Sequence, residues 1–121
     1  MAILERRRDI WLVAFCAGRP GGPGKTRPAI VVSVDELSTG APGDLIVVVP
    51  LSSSLAPSAL RVEIKPATGI ERPSRAVCRA VRAFVPSRLE RRIGRIDPAN
   101  MGQIETALAL ILGLDRRATV A

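Results

Sequence analysis

Two short stretches hold residues whose types could do chemistry: Gly24-Lys25-Thr26-Arg27-Pro28 and Leu51-Ser52-Ser53-Ser54. The first closes a Gly- and Pro-rich segment, residues 18–28, set between two apolar β-branched runs. Gly24-Lys25-Thr26 has the form of the end of a phosphate-binding loop, which needs Gly-x-x-x-x-Gly-Lys-Ser/Thr between a strand and a helix. The spacing fails, because Arg19 stands five residues before Gly24 and Gly18 is one position too early. The context fails as well. A β run follows Thr26, so no helix N-terminus points its N–H groups at a phosphate, and Pro20 and Pro23 remove two further donors. What the stretch offers instead is Arg27, a guanidinium able to hold phosphate oxygens through paired hydrogen bonds. Lys25 adds a second cation, and Ser52 and Ser53 add hydroxyl donors.

Composition removes most other chemistries. The chain has no histidine, which excludes the commonest general base, the usual zinc sites and a Ser-His-Asp triad. Its two cysteines, Cys16 and Cys78, are far apart and flanked by apolar residues. They read as two buried thiols of a reducing cytoplasm, with no metal site and no cofactor expected. Aromatic residues are only 2% of the chain, too few for a base-stacking platform of the RNA-recognition-motif kind. The net charge of +7 is confined to one segment: residues 61–95 hold ten basic and three acidic side chains, and the remainder is balanced. Arg79 and Arg82 lie in this segment, which suits a polyanionic partner, either nucleic acid or an acidic protein. No apolar run approaches the ~18 residues of a membrane span, and residues 2–8 put charge after a short apolar part, unlike a signal peptide.

The elements that must position these residues are short. With 47% hydrophobic residues the 121-residue chain is expected to form one domain, 1–121, with residues 1–7 and 115–121 as flexible tails. Apolar, β-branched runs predict strands over 9–16, 28–35 and 45–51, with pairing ending or bulging at Pro50. Alternation over 60–65 predicts a half-exposed strand with Leu60, Val62 and Ile64 inward. Residues 74–85 fit either a helix with an Ala76-Val77-Ala80-Val81-Phe84 stripe or a strand, and β-branched content and a place among strands favour the strand; 86–92 read as a short helix opened by the capping-box pair Ser87 and Glu90, and 93–96 as a short strand. Asp97-Pro98 starts a helix over 98–112, with Met101, Ile104, Leu108 and Ile111 on one face and Gly113 closing it. Several short strands with a small helix and a C-terminal helix make an α+β fold, a small twisted barrel.

The whole pattern resembles the MazF/PemK family of toxin endoribonucleases from toxin–antitoxin pairs. The match runs from about Arg7 to Leu114. It is carried by Arg8-Asp9-Ile10-Trp11-Leu12-Val13, by Gly24-Lys25-Thr26-Arg27-Pro28-Ala29-Ile30-Val31-Val32-Ser33, and by Val48-Val49-Pro50-Leu51-Ser52-Ser53. Ser74, Val81-Arg82, Arg88-Leu89, Ile93-Gly94-Arg95-Ile96 and the Leu108…Leu112-Gly113-Leu114 ending follow in order. The resemblance implies an SH3-like β-barrel with a C-terminal helix, forming a cytoplasmic homodimer. It also implies metal-independent cleavage of single-stranded RNA at a short recognition sequence, and a partner antitoxin whose acidic, disordered tail lies across the RNA groove. It makes Arg27 the catalytic arginine, puts Ser52 where the family usually has a catalytic Thr, and puts Ser53 at the neighbouring Ser. Arg82 also matches a family Arg. Lys25, Ser53, Arg79 and Arg82 are the expected RNA contacts.

Two positions depart from the family pattern. Gly21-Gly22-Pro23 stands where many members carry Ser-Glu-Gln, so the loop acid is missing, and Ala80 replaces the usual Gln two residues before Arg82. Two other readings compete with the nuclease. The same barrel serves toxins that resemble the gyrase poison CcdB and act by binding a protein, and an inactive family member would bind antitoxin or RNA alone.

Overall fold

The computed structural model describes residues 4–16, 25–54, 60–66, 69–70 and 72–114. Residues 18–24, where the loop ahead of Arg27 is expected to act as a flap, lie outside them, as do 115–121 and the first three residues of the expected N-terminal tail. Seven strands and one helix follow in order: β1 (Asp9–Cys16), β2 (Lys25–Val31), β3 (Ile46–Ser52), β4 (Arg61–Ile64), β5 (Ser74–Val77), β6 (Arg82–Phe84), β7 (Leu89–Arg95) and α1 (Pro98–Ile111). They form one antiparallel sheet in the order β4-β5-β3-β2-β1-β7, with β6 also paired to β3. The fold is α+β as expected, although the sheet curls without closing into a strict barrel.

Alternation along the three longest apolar strands explains why the sheet has a core on each face. Ile10, Ile30, Val32, Val49 and Leu51 point to the helix side, where they pack with Ile64, Ala76, Cys78, Ile96, Met101, Ile104 and Ala107. Trp11, Val13, Ala29, Val31, Ile46 and Val48 point the other way and pack with Phe84 and Leu89. Such strands read as unbroken apolar runs because both faces are covered. Each fully buried Ile or Val contributes about 1.5–3 kcal/mol. Burial also pushes the Cys78 thiol up to about 11. Cys16, expected to be buried as well, is exposed, because it ends β1 where the strand runs past the core.

β3 takes two partners on one edge. Ile46, Val47 and Val48 pair with β6, whereas Leu51 and Ser52 pair with β5. Pro50, which has no N–H to give a ladder, falls between the two sets, and the β2–β3 register ends at Ala29↔Pro50. The pairing break expected at this proline is therefore present, though the strand itself runs on to Ser52.

Two elements differ from the sequence reading. Residues 74–85 are not one strand: a 3-10 turn, Cys78–Ala80, divides β5 from β6. The turn buries Cys78 and lets the chain pass from one half of β3 to the other. The short helix expected over 86–92 is only the 3-10 turn Pro86–Arg88, and Leu89 begins β7. Pairing decides this. β7 lies along β1 in register Asp9↔Arg95 to Val13↔Leu89, and a sheet partner outweighs a capping-box spacing that has no long helix behind it.

The C-terminal helix forms as read. Asp97 Oδ1 accepts the Asn100 N–H at 2.7 Å, Pro98 takes the first turn, and Gly113 ends the helix at φ +68°, a conformation that strains any other residue. Buried Asn100 ties α1 to the end of β4: its Oδ1 accepts from the Lys65 N–H, and its Nδ2 donates to the Glu63 carbonyl. The opposite end of the sheet is clasped by residues 6–9. Arg8 N–H donates to the Val31 carbonyl, the Arg7 guanidinium donates to the Val32 carbonyl, and Arg7 Nη2 lies 3.0 Å from Glu105. The Arg7 N–H donates to Asp35 at 2.7 Å, and that bond, with the Arg6 guanidinium helping, holds the Asp35 carboxyl below its ordinary value. Buried Asp9 accepts from the Arg6 N–H and from Trp11 Nε1 and makes an ion pair with Arg92 at 3.1 Å.

Candidate functional site

Arg27 is placed by two neighbours. Pro28 forces the residue before it into an extended conformation, and β1 holds Arg27 in register opposite Val13. On its other side the β2–β3 ladder has already ended at Ala29↔Pro50. Continuing that antiparallel register by two residues sets Arg27 across from Ser52, on the same face of the sheet. The two strands are no longer paired there, so space opens between them. Ser52 is in turn held by β5, opposite Arg75. Its Oγ accepts the Ser54 N–H at 3.1 Å, which leaves the hydroxyl proton for another acceptor.

Two clefts open on either side of this pair, and Arg27, Leu51 and Ser52 line both. The first, about 600 Å³, adds Ser53, Ser74 and Arg72, with Gly69 in its floor. Gly69 sits at φ +89°, where an added Cβ would lie 2.0 Å from the Ile93 carbonyl oxygen, so only glycine lets the chain cross there. The second, about 630 Å³, adds Lys25, Arg61 and Arg82 beside Phe15 and Cys16. The Arg82 guanidinium lies 4.5 Å from the Phe84 ring centroid and 5.5 Å from that of Phe15, which fixes a long side chain by cation–π contact. Among the described residues no carboxylate lines either cleft. The described lining is cationic, which favours a polyanion over a metal cation. Among the described residues no group of three or more His, Cys, Asp or Glu could hold a metal ion.

The structure thus brings Arg27, Ser52 and Ser53 together, and sets Lys25 and Arg82 in the second cleft. Arg79, exposed on the Cys78–Ala80 turn, lines neither cleft. Sequence reasoning missed Arg61, Arg72 and Phe15. For Arg61 the signal was present in the alternation of β4, which turned it away from the core, but a face turned from the core reads as solvent until the curvature of the sheet is known. Much of the charge segment points elsewhere: Arg92 pairs with Asp9, Arg88 reaches the Ala14 carbonyl and Arg95 the Arg7 carbonyl.

Residues 6–112 match the family of PemK-like, MazF-like toxins of type II toxin–antitoxin systems. This chain belongs to that family. Among curated relatives, the endoribonuclease MazF9 of Mycobacterium tuberculosis is 33% identical over 117 residues, covering 92% of this chain and 98% of that protein. Solved structures of the family share the fold. An endoribonuclease in complex with its cognate antitoxin from a mycobacterial species superposes with a TM-score of 0.73 at 21% identity, over 92% of this chain and 97% of that one. MazF of Deinococcus radiodurans superposes with a TM-score of 0.75 at 16% identity, over 93% and 99%. MazF/PemK-family membership accounts for the antiparallel sheet with its C-terminal helix. Among the described residues no helix is long and apolar enough to cross a membrane.

Proposed function

We propose that this toxin-family chain is a sequence-preferring endoribonuclease that cuts single-stranded RNA without a metal, in the cytoplasm and as a homodimer. The observation that carries the reading is the pair Arg27 and Ser52 on the shared rim of two clefts whose described lining holds cations and hydroxyls and no carboxylate. In the proposed reaction the RNA's own 2′-oxygen attacks the adjacent phosphorus and the bond to the 5′-oxygen breaks. The products are a 2′,3′-cyclic phosphate and a 5′-hydroxyl; the 2′-hydroxyl gives up a proton and the leaving oxygen gains one. The protein's work is to hold the phosphate in line and to stabilise the charge that builds on the phosphorane. Arg27 supplies that charge stabilisation, because a guanidinium does not give up its proton at any working pH. Ser52 donates its remaining proton to a phosphate oxygen. Among the described residues no carboxylate lines either cleft, and the chain has no histidine, so no side-chain base is assigned.

The same clefts suit an acidic, disordered antitoxin tail, which would compete with RNA for the cations. A structural relative solved in complex with its cognate antitoxin supports that partner, and the curated relative's description as an endoribonuclease supports the activity.

The test is incubation of the purified protein with mixed-sequence RNA in EDTA, with mapping of the ends. Internal cuts at a common short motif, ending in cyclic phosphate, are expected. Intact RNA together with blocked gyrase or replication would point to a protein-binding toxin. RNA bound but never cut would mark an inactive member, consistent with Gly21-Gly22-Pro23 and Ala80.

A further inference from the structure

Arg61 opens β4 on the wall of the second cleft, and two of its three guanidinium nitrogens, Nε and Nη1, are buried with no hydrogen-bond partner among the described residues. That is an expensive way to place a cation. A buried lysine relieves such a position by losing its proton, but a guanidinium stays charged, so the desolvation cost stands until an acceptor arrives. Among the described residues no acceptor is supplied nearby: no carboxylate lines the cleft, and Glu63, the acid two positions along the same face of β4, lies across the ladder from Arg75. The backbone is also held in place for this side chain. Leu60, just before Arg61, sits at φ +67°, a left-handed conformation that a leucine keeps only under constraint. The far end of β4 is locked by the Asn100 hydrogen bonds to Glu63 and Lys65.

We infer that Arg61 is a substrate-binding residue that receives a phosphate of the RNA next to the scissile one, seating the strand in the second cleft while Arg27 and Ser52 hold the scissile phosphate on the rim. This rests on the nuclease reading above. Arg82, fixed on its two phenylalanines, and Lys25 complete the cationic wall of that cleft.

The experiment uses the full-length protein, Arg61→Met, and an RNA carrying a 2′-O-methyl group at the mapped cleavage site, so that binding is read without cutting. Arg61→Met is expected to weaken binding at least tenfold, the scale of one lost charged hydrogen bond. It should also lower the slope of log affinity against log salt by about 0.7, the single-strand value for one lost phosphate contact. Without RNA the variant should melt at or above the wild-type temperature, since an unpaired buried charge has been removed; a lower melting temperature would assign Arg61 a structural role and overturn the proposal. Unchanged affinity and salt slope in a protein that still cuts RNA would overturn it while leaving the nuclease reading intact. Wild-type protein that neither binds nor cuts RNA would sink both. A second measurement needs no variant. Cys16 is exposed on the same cleft wall, so bound 2′-O-methyl RNA should slow its alkylation, and an unchanged rate with RNA bound would show the second cleft empty and overturn the proposal.

Discussion

β2 and β3 behave differently at their two ends, and the contrast explains where a site can exist in so small a sheet. At one end Ile30, Val31, Val48 and Val49 are paired across the ladder and buried on both faces. The clasp of Arg6, Arg7 and Arg8 on Val31, Val32 and Asp35 seals this end. At the other end the same two strands lose their pairing beyond Ala29 and Pro50, and the side chains become Arg27, Ser52 and Ser53 on open clefts. Pairing and burial make the closed end rigid and fill the space between the strands with apolar side chains. The open end keeps rigidity from the outer neighbours, β1 for Arg27 and β5 for Ser52, while its inner edge is left to a ligand. Two prolines, Pro28 and Pro50, mark the boundary.

Four substitutions break or sharpen this contrast. The largest effect is expected for Arg27→Ala, which should lower the rate of RNA cutting by about 10³-fold, roughly 4 kcal/mol of transition-state stabilisation, with no loss of thermal stability. A folded variant that still cuts at the wild-type rate would remove Arg27 from the mechanism. Next, Ile30→Ala at the closed end should destabilise by about 3 kcal/mol in denaturant unfolding while the folded fraction cuts RNA normally. A stability change under 1 kcal/mol would mean the two-sided core is looser than the packing indicates. Ser52→Ala should slow cutting about tenfold, near 1.4 kcal/mol. It removes one donor and leaves the guanidinium in place, so a loss as large as that of Arg27→Ala would reverse their relative roles.

The smallest effect belongs to the clasp. The Asp35 carboxyl is held below its ordinary value of 3.8, first by the Arg7 N–H hydrogen bond. The folded state thus favours the ionised form. Its contribution is complete above the unfolded value and disappears as pH falls through the lower folded one. Melting temperatures of wild type and Asp35→Asn should therefore differ slightly at neutral pH and converge as pH falls through the lowered folded-state value. Curves that stay parallel into acid would take Asp35 out of the clasp's electrostatics.

Much of the fold was legible from local pattern. The apolar runs of β1, β2 and β3, the Asp-Pro start and Gly113 end of α1, and the alternation of β4 each rest on neighbours in sequence. The division of residues 74–85 and the loss of the helix at 86–92 were not legible, because both depend on which strand lies alongside: β3 offers two partners on one edge, and β1 claims residues 89–95.

The candidate site divides along the same line. Sequence by itself determined the residue types: an arginine before a proline, a serine run after an apolar strand, no histidine, and an arginine-rich centre, together with the order of blocks that matches the family. Only the tertiary structure decided which of those groups meet. The register between β2 and β3 sets Arg27 across from Ser52, and the curl of the sheet turns Arg61 and Arg72 from outward surface into cleft walls. It also sends Arg92 and Arg95 to structural partners. The reason is physical. A residue's chemistry is carried by its own side chain, whereas its neighbours across a sheet are set by pairing and twist summed over the whole chain.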